Sequence, residues 1–168
     1  MMSFFAALLT FFMVGCSKPS SPITWTECAQ EIGSHPCDFT LKDQEGKPWN
    51  LYQHYGKPTL IDFSSEWCYW CHIAAEDIPK LTGEYDFIYI TILIEDRNGR
   101  PGDLELAKKW AELYGNENPI LTGYSPDMDW PINGLPSFFM IDKEMKITRI
   151  LEGWSLIGVN LIVKETQN

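Results

Sequence analysis

Two cysteines spaced C-x-x-C, Cys68 and Cys71, stand where an apolar run gives way to a helical pattern, and this junction constrains the chain more than any other stretch. Leu60, Ile61 and Phe63 read as a short buried strand. After the cysteines, Trp70, Ile73, Ala74, Ile78 and Leu81 recur at threes and fours, the spacing of a helix buried on one face. The dithiol is therefore expected at a helix N-terminus, where the helix dipole and unpaired N–H groups favour thiolate. Cys68 is the expected nucleophile and Cys71 its resolving partner.

Other chemistries use the same spacing. A zinc site needs a second C-x-x-C or a histidine pair, whereas His35 and His54 stand alone. Cys68-Tyr69-Trp70-Cys71-His72 also spells C-x-x-C-H, the c-type haem attachment, and a copper metallochaperone using the thiols and His72 is a third alternative. What favours dithiol chemistry is Asp62, a carboxylate on an otherwise apolar strand. Such a residue is costly unless paired or functional, and from there it can relay a proton to Cys71. The plain alternative is an Asp facing solvent from a half-exposed strand. His72 has its own alternatives: a charge beside the thiolate, a haem or metal ligand, or, most commonly, an exposed bystander on the first helical turn.

Asp62-Phe63, Glu66-Trp67-Cys68 and Cys71 resemble the active-site segment of thioredoxins. Gly134-Leu135-Pro136-Ser137-Phe138-Phe139-Met140-Ile141-Asp142 resembles that family's cis-proline loop and following strand. Asp38-Phe39-Thr40-Leu41-Lys42-Asp43 with Gly46-Lys47 is similar to the N-terminal hairpin of the TlpA and ResA branch, the exported thiol-disulfide oxidoreductases. The three segments span most of 35–154. The resemblance implies an α/β thioredoxin fold, a central mixed sheet flanked by helices with an added N-terminal β-hairpin. It implies a cis Pro136 whose loop, with Leu135 and Trp67, receives a substrate strand. It also implies exchange with protein thiols or disulfides in the cell envelope, in the reducing direction, with a membrane electron donor and no cofactor.

The remaining chain agrees with one such domain. Its 168 residues are 45% apolar and 14% aromatic, enough for a packed core. With 13 basic against 23 acidic residues the net charge is -10, which argues against nucleic acid as a partner. The apolar block from Ser3 to Gly15 is short for a membrane span and ends in Met13-Val14-Gly15-Cys16, which resembles a bacterial lipoprotein signal. The expected division is a signal peptide at 1–15, a linker at 16–24 following a lipidated Cys16, and a thioredoxin-like domain at 25–168. Membrane attachment would then be by lipid, on the periplasmic side.

Without Cys16, four cysteines remain, and Cys28 with Cys37 forms the natural second pair, read as a structural disulfide, with two buried free thiols or a second redox pair exchanging with Cys68 as the alternatives. A hairpin is expected from Phe39 to Leu41 and Trp49 to Leu51 about a turn at Gln44-Glu45-Gly46. Pro79 should kink or end the active-site helix. Phe87 to Ile94 reads as a second central strand, and Leu104, Ala107, Lys108, Ala111 and Leu113 as an amphipathic helix closed by Gly115. The stretch from Asn116 to Asn133, with Trp130-Pro131, reads as a long loop, either bordering the substrate groove or merely connecting. Ser137 to Asp142 and Lys146 to Glu152 form a second hairpin, and Ser155 can cap a last helix.

Overall fold

A computed structural model describes residues 23–114 and 117–167. The expected signal segment, Cys16, the linker as far as Pro22, and the helix stop at Gly115 lie outside the described residues. Within them the elements run β1 (Thr40–Lys42), β2 (Pro48–Asn50), β3 (Thr59–Ser65), α1 (Tyr69–Leu81), β4 (Ile88–Glu95), α2 (Leu104–Tyr114), β5 (Ile120–Leu121), β6 (Ser137–Ile141), β7 (Ile147–Glu152) and α3 (Leu156–Glu165). Strands β1 and β2 form a separate antiparallel hairpin, and the main sheet has the order β5-β4-β3-β6-β7. Pairing of β3 with β4 and of β4 with β5 is parallel, whereas β6 runs antiparallel to both β3 and β7. The sheet is therefore mixed, with β3 at its centre and every β3 residue buried.

Alternation along the strands sends successive side chains to opposite faces. Ile61, Phe63, Ile90, Ile92, Phe139 and Ile141 pack on one side beneath the hairpin, Leu51, Tyr52 and Trp130. Leu60, Tyr89, Phe138 and Met140 face Ala74 and Ile78 of α1 and Val159 and Val163 of α3. Helix α2 lies over the β4–β5 edge, where Leu106, Ala107 and Trp110 meet Leu93 and Ile120. Ser155 caps α3, its Oγ accepting from the Gly158 N–H at 3.1 Å.

Four expectations change. Cys71, Ala74, Ala75, Ile78 and Leu81 form the buried stripe of α1, while Trp70 is 54% exposed. One residue is about 100° of helix, so Trp70 flanks the stripe that Cys71 occupies. In α2 the buried face is Leu106, Ala107 and Trp110, and Leu113 is exposed. Its phase is set by Ile120 of β5, a two-residue strand within the expected loop. The rest of that loop is not a plain surface connection either, since Trp130 is buried against Phe63 and Phe139 at ring distances of 5.3 and 4.8 Å. Of the two outcomes expected at Pro79, an end of α1 there is not what is found, since the helix continues to Leu81. The hairpin matches expectation to within a residue at each strand. Gly46 closes its turn at φ +78°, donating to the Asp43 carbonyl at 2.9 Å.

Residues before β1 are held in several ways at once. Cys28 and Cys37 are joined by a disulfide. Trp25 stacks on His35 at 4.1 Å, and Gly33 and Ser34 exchange backbone hydrogen bonds with Ile147 at 2.7 and 3.0 Å. A Cys28→Ser, Cys37→Ser double variant should therefore fold, with stability lowered by about 2–3 kcal/mol through the lost loop constraint. Urea unfolding of the two proteins measures the difference. A variant that does not fold at all would mean that the stacking and strand contacts depend on the bond.

Candidate active site

The turn between β3 and α1 is built so that Cys68 is the helix N-cap: its Sγ accepts the Cys71 N–H at 3.2 Å. An N-cap acceptor normally satisfies one of the unpaired donors of the first turn, and here a sulfur does so. Backbone bonds complete the turn, with the Cys68 N–H donating to the Ser65 carbonyl at 3.1 Å and the Glu66 N–H to that of Glu95 at 3.0 Å. Cys68 and Cys71 are joined as a disulfide. Cys68 is 5% exposed and Cys71 is fully buried, so the first sulfur is the one near solvent.

Beside them runs the segment leading into β6. The Leu135–Pro136 peptide bond is cis, and Leu135 packs against the cluster containing both cysteines. The β3–β6 ladder ends at the Phe63–Ser137 pair, so Leu135 extends past the paired strand. Around the disulfide stand three exposed aromatics, Trp67, Tyr69 and Trp70. Trp67 is anchored by its indole N–H, which donates to the Glu95 carboxylate at 3.1 Å.

Asp62 shares the face of β3 with Leu60, the face covered by α1, and is completely buried. That overturns the solvent-facing alternative. Its carboxylate accepts from Ser64 Oγ and from the Tyr89 hydroxyl, each at 2.8 Å, and Tyr89 in turn accepts from Thr91 Oγ1 at 3.1 Å. Burial lifts its pKa from 3.8 to about 7, although the two hydroxyls pull the other way by favouring the charged form. The same burial, together with the neighbouring Asp62 charge, keeps the Tyr89 phenol neutral by raising its pKa well above 10. A carboxyl group balanced between its two states at neutral pH can both take and return a proton.

His72 is not the exposed bystander expected. It is half-buried and stacks on Trp110 at 4.8 Å; Nε2 meets the Glu66 carbonyl at 2.8 Å and Nδ1 meets the Tyr114 hydroxyl. An axial-ligand role would require these bonds to break first. The Glu66 carboxylate, for its part, accepts from Lys109 Nζ at 2.7 Å and the Arg97 N–H at 3.0 Å, which lowers its pKa. Sequence reasoning missed Tyr89, Ser64, Trp110 and Tyr114. Trp110 and Tyr114, four apart on α2, carried a helical-spacing signal that Leu113 obscured. Ser64, two residues along β3, shares the face of Asp62 by strand alternation, whereas the distant Tyr89 carried no signal.

A five-stranded mixed sheet with a dithiol capping the helix after its central strand, opposite a cis-proline segment, defines a thioredoxin-fold oxidoreductase. The fold is also that of a DsbE-like thiol:disulfide interchange protein from Chlorobium tepidum, at TM-score 0.71 and 17% identity over 83% of this chain and 100% of that one. It is equally that of the exposed lipoprotein thioredoxin Etrx1 of Streptococcus pneumoniae, at TM-score 0.65 and 24% identity over 77% and 99% of the two chains. No family model matches the chain. Among curated relatives, the thiol-disulfide oxidoreductase ResA of Geobacillus thermodenitrificans is 30% identical over 128 residues, 74% of this chain and 71% of the relative. That of Geobacillus kaustophilus is 28% identical over the same length. The chain belongs to the ResA family of thiol-disulfide oxidoreductases.

Proposed function

We propose that the protein is a lipid-anchored reductant of disulfides in envelope proteins, held on the periplasmic side of the membrane through Cys16. The observation that carries the reading is the Cys68–Cys71 pair capping α1 beside the cis Leu135–Pro136 segment. In the cycle, the Cys68 thiolate attacks a substrate disulfide, forming a mixed disulfide and releasing one substrate thiolate. Cys71, deprotonated by Asp62, then attacks Cys68 Sγ. The Cys68–Cys71 bond forms, the second substrate thiolate leaves, and two electrons have passed to the substrate. Asp62 returns its proton to a leaving thiolate or to water.

Polypeptides suit this site better than small thiols do. Trp67, Tyr69 and Trp70 offer exposed apolar area around the reacting sulfur, and Leu135 extends past the ladder where a substrate strand can add to it. The apolar block ending in Gly15-Cys16 supports the anchor, and the Streptococcus pneumoniae neighbour is itself named an exposed lipoprotein. Two disulfides suit an oxidising compartment. A reductant there needs electrons resupplied, which calls for a membrane electron donor.

Equilibration of the full chain with glutathione or dithiothreitol buffers, read by trapping free thiols, tests the direction. A potential near about -270 mV is expected for a reductant, whereas one near about -120 mV would make the protein an oxidant.

A further inference from the structure

We infer that His72 is a positioning residue for the reactive sulfur: a strut fixed by α2 that holds the Glu66–Cys68 turn against the first turn of α1. The inference rests on Cys68 being the attacking thiol, as proposed above. Glu66 O can only accept, so His72 Nε2 must carry the hydrogen of their 2.8 Å contact. In the neutral ring Nδ1 is then the acceptor, and the Tyr114 hydroxyl is its donor. Tyr114 thereby selects the tautomer that bonds Glu66, and the stack on Trp110 fixes the plane of the ring.

The held turn matters because Glu66 lies two residues before Cys68 and is tied from every side. Its N–H donates to Glu95 O, its carboxylate receives Lys109 and the Arg97 N–H, and its carbonyl receives His72. Among the described residues, the His72 bond is the one hydrogen bond that joins this knot to the helix that Cys68 caps. With it in place, Cys68 Sγ stays within reach of the Cys71 N–H, 3.2 Å away in the disulfide form. After reduction the same N–H can serve the thiolate as a charge-assisted hydrogen bond. Loss of the strut lets the turn drift and weakens that bond, so less thiolate forms and the disulfide is relatively favoured.

His72→Phe keeps a ring to stack on Trp110 but removes both nitrogens, whereas His72→Gln keeps a donor in place of Nε2. Tyr114→Phe leaves His72 untouched and removes only the hydroxyl. In the Cys71→Ser background, alkylation of Cys68 across a pH series reports the thiolate directly. At a pH below the inflection, His72→Phe and Tyr114→Phe should react about fivefold more slowly than their parent, and His72→Gln at nearly the parental rate. With both cysteines present, the glutathione equilibrium should move about fivefold toward disulfide, about 20 mV more negative. Parental alkylation with His72→Phe, or an equal loss with His72→Gln, overturns the strut. If the parent itself shows no acid-shifted thiolate at Cys68, the attacking-thiol reading fails and the strut fails with it.

Discussion

A Cys71→Ser variant should accumulate a covalent adduct between Cys68 and a disulfide-bonded protein, with multiple-turnover disulfide reduction lowered on the order of 10³-fold or more. Cys68→Ser should be equally inactive yet trap nothing. The asymmetry follows from burial: Cys68, the cap of α1, keeps 5% of its surface exposed, whereas Cys71 is fully buried in the cluster that Ala75, Leu93 and the inner face of α2 complete. A substrate sulfur can reach only the first. With serine at position 71 the attack still occurs, but no second thiolate breaks the mixed disulfide, so the adduct persists until an external thiol removes it. Non-reducing electrophoresis of the two variants after mixing with a disulfide-bonded protein gives the answer. Adducts in Cys68→Ser and none in Cys71→Ser would reverse the assigned roles.

Asp62→Asn should stabilise the oxidised protein above pH 7 by as much as about 4 kcal/mol, and by almost nothing near pH 4. The sign follows from burial. In the unfolded chain the carboxyl loses its proton near pH 4, whereas in the folded protein it keeps it up to about 7. The stability this proton linkage confers is fully present below about pH 4 and is lost as the pH climbs to the folded value, beyond which the difference stays constant. An amide never ionises and so escapes that loss, and the Ser64 and Tyr89 hydroxyls can turn to suit it. Urea unfolding at a series of pH values measures the effect, and a parallel offset at every pH would argue against an ionising Asp62.

The same substitution should slow resolution by Cys71 about 100-fold and abolish the inflection near neutral pH in that step. Stability gained and turnover lost at one position is the signature of a buried group retained for its chemistry. A variant more stable but equally fast would leave Asp62 without a part in proton transfer.

Much of this arrangement was legible in the chain before folding. The β3–turn–α1 junction, the terminal hairpin and the cap at Ser155 follow from local periodicity and turn chemistry, and they stand within a residue or two of where those rules put them. The least legible stretch was 116–133. A two-residue strand is too short to show alternation, and it exists because the edge of β4 accepts it. Trp130 gave no periodic sign of burial either, because its partners Phe63, Phe39 and Phe139 are scattered through the chain.

At the site the division is the same. Asp62, Cys68 and Cys71 announced themselves by being chemically out of place or rigidly spaced. Residues that condition them did not: Tyr89 reaches Asp62 from the neighbouring strand β4, and Tyr114 reaches His72 from a position 42 residues away on α2. Sequence alone located the dithiol, its helix and a carboxylate on the strand before them, since each is a matter of neighbours within one or two turns of chain. Only the tertiary structure decided which face of α1 is buried, that Trp70 is exposed, that Asp62 is fully desolvated and that His72 is held between Glu66 and Tyr114. Burial and hydrogen-bond partnership depend on what the sheet brings together, and a local pattern carries no record of that.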